Sequence, residues 1–274
     1  MDSQTTQVPH RLAFLGAGKL AGSVIRGLLR ANFCAPGEII ASEPHDGTRQ
    51  TLEKELGISV TTENAEAASK AGILFLGVKP AVVLPVLRDL SLDPETIVIS
   101  LAAGVRLSAM ESVSQARCMR AMTNTPSAIC RAATALARGT RTTPGDLVAA
   151  RKIFGAIGVV VEIEEEQIDV VTALSGSGPA FVYTVIEAFA QGGAKAGLPN
   201  DVALALATQT VLGAAQLATE TKMSPEELRG MVVTPGGTTA AGLAAMEKNG
   251  VSKGLIAAVE AATKRGQEMA KENL

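Results

Sequence analysis

The chain has no tryptophan and one tyrosine, Tyr183, and aromatic residues make up only 3% of its 274 positions. Without stacking side chains, and with 25 basic residues set against 27 acidic ones and no basic stripe, it offers little to a nucleic acid. Two histidines, His10 and His45, leave scant material for a metal site or a histidine base. The three cysteines, Cys34, Cys118 and Cys130, are odd in number and widely spaced. That argues against a disulfide framework or a zinc site and fits a reducing cytoplasm. No apolar run reaches the ~18 residues of a membrane-spanning helix, and the polar start MDSQTTQVPH has no signal-peptide core. Residues 1–10 read as a disordered lead-in. Neither a membrane nor a metal is expected as a partner.

What the chain does have is small apolar residues. Hydrophobic types make up 47% and glycine occurs 27 times, so alanine, leucine and valine must fill the core, with backbones approaching closely. In the first half, short apolar runs alternate with helical stretches. Strands are expected at 11–15, 38–42, 58–62, 73–78, 96–101, 117–122, 134–138 and 159–163. Helices are expected at 19–31, 48–56, 63–71, 81–90 and from Pro144 onward, the fourth in spite of Pro85. Such alternation builds βαβ units, here an α/β Rossmann domain with a mostly parallel sheet over residues 1–170. The pattern changes after Glu166. No strand pattern remains from Gly178 on, and residues 171–274 read as an all-α domain. Its helix at 201–220 is apolar nearly all round, as a buried helix is. A domain of this size cannot bury two such long helices alone, so a dimer interface is expected.

The first motif is Gly16-Ala17-Gly18-Lys19-Leu20-Ala21, which follows the first strand and opens the first helix. That is the context a dinucleotide fingerprint requires. Gly16 permits the tight turn, Gly18 lets the backbone approach a pyrophosphate, and Ala21 is the third small position. The pyrophosphate would rest on the helix N-terminus. Ser42 and Glu43 end the second strand, where the adenosine ribose is expected. A carboxylate there accepts from a 2′-hydroxyl and repels a 2′-phosphate, whereas Ser42 serves either, so NADPH and NADH both stay open. Other strand ends carry Val78-Lys79-Pro80, the small Ala102 and Ala103 where a nicotinamide ring would lie, and Asn124 within the polar segment 123–126.

In the helical half, Thr234-Pro235-Gly236-Gly237-Thr238-Thr239 leads into a helix. Its exposed N–H groups and hydroxyls suit a small carboxylate; an ordinary threonine cap is the alternative, but two glycines followed by two threonines in an otherwise helical domain favour the anion site. Ser177, between Gly176 and Gly178, resembles a nucleophile site only in part and has no base, which rejects a hydrolase. The run Glu164-Glu165-Glu166 reads as a solvated face, or as a border of the substrate. The readings in view are a reductase, a different imine or hydroxyacid dehydrogenase on the same plan, of which the latter would need Lys195 as its catalytic lysine, a non-catalytic dinucleotide sensor, and a purely structural helical dimer, against which the nucleotide fingerprint argues.

Taken in order, the segments GAGKLA (16–21), FLGVKP (75–80), AAGV (102–105), MTNTP (122–126), ALSGSGPAF (173–181) and TPGGTTAAGL (234–243) make the chain resemble the pyrroline-5-carboxylate reductase family from Phe14 to Arg265. The resemblance implies reduction of 1-pyrroline-5-carboxylate to L-proline by NADPH or NADH, at a site between the cofactor domain and the helical domain. It implies a homodimer interlocked through the helical domain and, in several members, a ring of five dimers. Thr239 matches the threonine that hydrogen-bonds the substrate nitrogen, and Thr234, Gly236, Gly237 and Thr238 match the carboxylate loop. Asn64 matches a residue on the adenosine side of the cofactor, and Glu165 a position near the substrate. The chain departs at Glu43, where some members carry a serine facing the 2′-phosphate, and at Met231, where some carry a polar residue.

Overall fold

The computed structural model describes residues 11–272, so the lead-in expected over 1–10 lies outside the described residues. Contacts divide the chain into two units. One runs to Ser177 and takes back the chain from Ala261 onward; the other is Gly178–Glu260.

The first unit is built from β1 (Leu12–Leu15), α1 (Lys19–Arg30), β2 (Ile39–Ser42), α2 (Asp46–Leu56), β3 (Ser59–Thr61), α3 (Asn64–Ala68), β4 (Ile73–Leu76), α4 (Pro80–Asp89) and β5 (Ile97–Ser100). It continues with α5 (Leu107–Val113), β6 (Arg117–Met122), β7 (Ala132–Arg138), α6 (Pro144–Gly155), β8 (Gly158–Glu162) and the single turn α7 (Ile168–Val171). The eight strands form one sheet in the order β3-β2-β1-β4-β5-β6-β7-β8. Because β1 pairs with β2 on one side and β4 on the other, the strand order reverses at β1. Ligands of open α/β sheets bind outside the carboxyl ends at such a reversal.

Alternation along each strand sends side chains to both faces, and both are covered. On one face Phe14, Phe75 and Ile99 meet Val24, Ile25 and Leu28 of α1 and Phe154 of α6. Phe14 and Phe75 stack with ring centroids 4.5 Å apart, and Phe154 meets Phe75 edge-on. On the other face Leu15, Leu74, Leu76 and Val98 meet Val83, Val86 and Leu87 of α4 and Met110 of α5. The helix α4 survives Pro85 because that residue and Ala81, one turn back, both face outward, where water can take the freed carbonyl.

Three features depart from the sequence reading. The β6–β7 pair is antiparallel, because residues 123–131 between them include no crossover helix. The helix α5 is too short to show a period. The division between units also falls later than 170/171. Residues 168–177 stay with the first unit, and the end of the last helix returns to it. A Cβ on Gly266 would sit 3.4 Å from Asp169 Cβ, and Met269 packs within reach of Gly104.

The second unit holds α8 (Gly178–Lys195), α9 (Asn200–Thr221), α10 (Pro225–Val232), α11 (Thr238–Lys248) and the start of α12 (Val251–Glu272). Ser224 and Glu227 close a capping box at α10. The expectation of a buried helix is not met within the chain: only Ala203 and Ala207 of α9 are buried, and Leu204, Leu206 and Leu212 stand about half exposed. By length and composition, with mean hydropathy 1.4, α9 also has what a bilayer-crossing helix needs. Scattered threonine and glutamine break its apolar run yet leave the average high, which is why a search for unbroken runs passes over it.

Burial pushes the Cys118 thiol up to about 12 from 9.0. Native protein is therefore expected to leave Cys118 unlabelled by a thiol reagent at neutral pH, with labelling appearing only in denaturant. Because the folded pKa is the higher one, this thiol's contribution to stability is complete below pH 9 and declines as pH rises towards 12. Alkaline unfolding of Cys118→Ala should lack that component.

Candidate active site

The crevice at the strand reversal is built from glycine outward. Gly16 turns the chain from β1 into α1 with φ +78°, a conformation other residues adopt at a cost. A Cβ on Gly16 would lie 2.8 Å from the Val78 nitrogen, so the β4 loop excludes any side chain there. Gly18 begins α1 without a side-chain cap, and a Cβ on it would enter open space. The first-turn N–H groups of α1 are thus left for an anion, and the opening above Gly18 has room for one. The residues present fit a dinucleotide pyrophosphate.

Beside this turn lies a cavity of about 370 Å³. Its wall takes Leu20 from α1, Gly77, Val78 and Pro80 after β4, Leu101 to Ala103 after β5, Met122 to Thr125 after β6, and Thr172 and Gly176. It contains no ionisable side chain. Thr172–Gly176 is a π-helical turn, a form that recurs at functional sites. Neither Thr172 nor Gly176 is singled out by the sequence as a cavity residue, because a π turn leaves no periodic trace.

The expected cofactor residues separate into groups. Gly16 to Ala21 form the fingerprint turn, with Gly18 and Lys19 exposed. Val78, Pro80, Ala102, Ala103 and Asn124 line the cavity. Lys79 does not; it is exposed and precedes α4. Asn124 is already engaged: its amide donates to the Ser175 carbonyl at 3.0 Å and its Oδ1 accepts from Ala133 N–H at 3.2 Å. It therefore pins the π turn to β7 and its strand neighbour. On the adenosine side, Ser42 donates to Asn64 Oδ1 at 2.5 Å. Glu43 is buried and accepts from Ala17 N–H at 3.0 Å.

In the second unit, Gly236 (φ +72°) and Gly237 bring the chain into α11. A Cβ on Gly237 would stand 2.3 Å from Thr234 Oγ1, and Gly237 N–H donates to the Thr234 carbonyl. No side chain caps α11, and among the described residues none bonds the hydroxyls of Thr238 and Thr239. Lys195, the alternative catalytic lysine, is the exposed last residue of α8.

Glu165, expected near the substrate, is engaged by its own chain. Its Oε1 accepts from Leu107 N–H at 2.6 Å and from Arg120 at 3.1 Å. Arg120 is 1% exposed in the middle of the sheet. Burial lowers its pKa, and Glu165 opposes that shift. Asp169, equally buried, holds Arg106 at 2.9 Å. These four residues tie β6, α5 and α7 together, and Glu165 lines a cavity with Arg106, Ser108 and Asp169 rather than the apolar one. An arginine inside the apolar strand RCMRAM was the available signal in the sequence.

A family model described as pyrroline-5-carboxylate reductase dimerisation matches residues 165–269, and one described as NADP oxidoreductase, coenzyme F420-dependent, matches residues 11–104. The chain is 41% identical to the pyrroline-5-carboxylate reductase of Methanosarcina acetivorans, over 96% of this chain and 99% of that one. Among solved structures, a pyrroline-5-carboxylate reductase from Coxiella burnetii superposes with a TM-score of 0.85 at 32% identity, covering 96% and 99% of the two chains. The Plasmodium falciparum pyrroline carboxylate reductase with NADP bound superposes with a TM-score of 0.86 at 27% identity, over 96% and 99%.

Replacing Glu165 by alanine leaves the Arg120 guanidinium buried without its bonded counter-charge. The expected cost is about 3 kcal/mol, read as a lower urea midpoint at unchanged m-value. An unchanged midpoint would remove Glu165 from this structural role.

Proposed function

The chain belongs to the pyrroline-5-carboxylate reductase family, and from that premise we propose that it reduces 1-pyrroline-5-carboxylate to L-proline, the last step of proline biosynthesis, with NADH or NADPH as donor. The observation that carries the reading is a fingerprint turn opening onto an apolar cavity without an ionisable group. A sensor or a hydroxyacid dehydrogenase finds no comparable support, since the second needs a catalytic lysine and Lys195 is exposed at a helix end.

The bound dinucleotide supplies a hydride. The substrate is a cyclic imine, and once its nitrogen is protonated the imine carbon is an electrophile. Adding a hydride there gives the amine directly, with no further proton transfer needed. The chain's task is then orientation, which converts an encounter into a near-attack geometry. Gly16 to Ala21 hold the pyrophosphate on the first turn of α1. Ala102, Ala103, Val78 and the π turn give the nicotinamide ring an apolar, water-poor wall. Free N–H groups at the start of α11, with Thr234, Gly236, Gly237 and Thr238, hold the substrate carboxylate, and the Thr239 hydroxyl holds the imine nitrogen. Ser42, Glu43 and Asn64 stand at the adenosine ribose.

Residues 165–269 match a dimerisation module, so the exposed apolar side of α8 and α9 is read as a homodimer interface, with a ring of five dimers as the larger assembly. Covering α9 with a second copy removes the apolar surface that would otherwise suit a bilayer. Three free cysteines fit a cytoplasmic setting.

Loss of reduced-nicotinamide absorbance that depends on added pyrroline-5-carboxylate tests the activity directly. Thr239→Ala is expected to lower kcat by about ten- to a hundredfold, the scale of one catalytic hydrogen bond; unchanged kinetics would end its catalytic role. Leu206→Glu, which puts a charge on the exposed face of α9, should shift the protein to a smaller species in sedimentation. An unaltered sedimentation coefficient would place the interface elsewhere.

A further inference from the structure

Gly16 N–H donates to the Ser42 carbonyl, and Glu43 N–H donates to the Thr61 carbonyl, so the Glu43 backbone is held between the first turn and β3. Its side chain is held as well. Oε2 accepts from Ala17 N–H at 3.0 Å and Oε1 accepts from His45 N–H at 3.2 Å, and the residue is only 5% exposed. The charge is therefore anchored against the fingerprint loop. This is the position from which an acidic residue takes the 2′-hydroxyl of an adenosine ribose.

A 2′-phosphate brings nearly two negative charges to the same place, where a fixed carboxylate repels them. Relief would need a cation with a free fork of donors. The two arginines of α1 and α2 that flank this region are already engaged. Arg49 donates to the carbonyls of Glu43 and Pro44 and pairs with Asp46, while Arg26 pairs with Glu55 at 3.0 Å. Ser42, which serves either ribose, spends its proton on Asn64.

We infer that Glu43 makes this chain select NADH over NADPH, through a carboxylate clamped by the Ala17 and His45 N–H groups at the ribose end of the crevice. The inference rests on the dinucleotide reading proposed above and narrows it to one donor. Carboxylate oxygens have lone pairs to spare beyond the two backbone bonds, so a 2′-hydroxyl can donate to Glu43 without displacing either.

The test is equilibrium binding without substrate, by calorimetry or by the fluorescence of the reduced nicotinamide, which no tryptophan obscures. NADH is expected to bind at least tenfold more tightly than NADPH. In Glu43→Gln, which keeps an acceptor for Ala17 N–H and loses the charge, NADPH should tighten about tenfold while NADH changes less than threefold. Glu43→Ser, with a side chain that serves either ribose, should reduce the ratio further. Wild-type protein that binds NADPH as tightly as NADH overturns the inference without any variant. Variants that lose both dinucleotides equally also overturn it, because Glu43 would then act only as a brace for the loop. Folded protein that binds neither dinucleotide overturns the site reading itself, a distinct result.

Discussion

At the carboxyl edge of the sheet two loops lie backbone against backbone, with nothing larger than hydrogen between them. A Cβ on Gly77 would stand 2.2 Å from the Gly16 carbonyl oxygen and 2.7 Å from Ala21 Cβ. Gly77 N–H donates to the Leu15 carbonyl at 2.8 Å, and Gly16 N–H to the Ser42 carbonyl at 2.9 Å. The ends of β2, β1 and β4 are thereby drawn to one point, and α1 begins there with its N–H groups facing outward. The apolar cavity depends on the same closeness, since Leu20, Gly77 and Val78 form one of its walls. A side chain at either glycine would part β1 from β4 and disturb both the start of α1 and the cavity wall.

Much of this could be read from the chain, because its local signals agree with the tertiary structure. The run GAGKLA between an apolar strand and a helical stretch has one sensible geometry, and the strand–helix alternation that follows it has one common fold. The capping box at Ser224 to Glu227 and the left-handed Gly57 closing α2 likewise follow short-range rules with a physical cause. What escaped reading was set by distant partners. The antiparallel turn of β7, the π turn at 172–176 and the engagement of Asn124 by Ala133 and Ser175 all depend on contacts between segments far apart in sequence. The unit boundary moved for the same reason: α7 and the end of α12 pack on one another through Gly266, and no composition change marks that contact.

The buried charges tell a consistent story about division of labour. Arg120, Glu165, Asp169 and Glu43 are all buried or nearly so, and each is committed to a backbone N–H or to a partner side chain. Groups held in this way stiffen a scaffold; leaving one unpartnered is what costs. Arg120 links the middle of β6 to the segment just before α7, and Met122, two residues on and facing the same side, forms part of the cavity wall. The charged cluster therefore lies behind the wall and orders it.

A cavity with no ionisable side chain is a poor place to move protons and a good place to align two reactants. If the acceptor reaches the site as a protonated imine, the missing acid is no defect, and a nearby carboxylate or lysine would favour misplaced charge over alignment. The same logic suits a chain with two histidines and no tryptophan, whose cavity is walled by side chains that carry no charge. The exposed apolar helices fall in the segment that matches a dimerisation module: Leu204, Leu206 and Leu212 stand about half exposed in the single chain. An orientation-driven site tolerates little looseness, and covering that surface with a second copy would stiffen the helical unit.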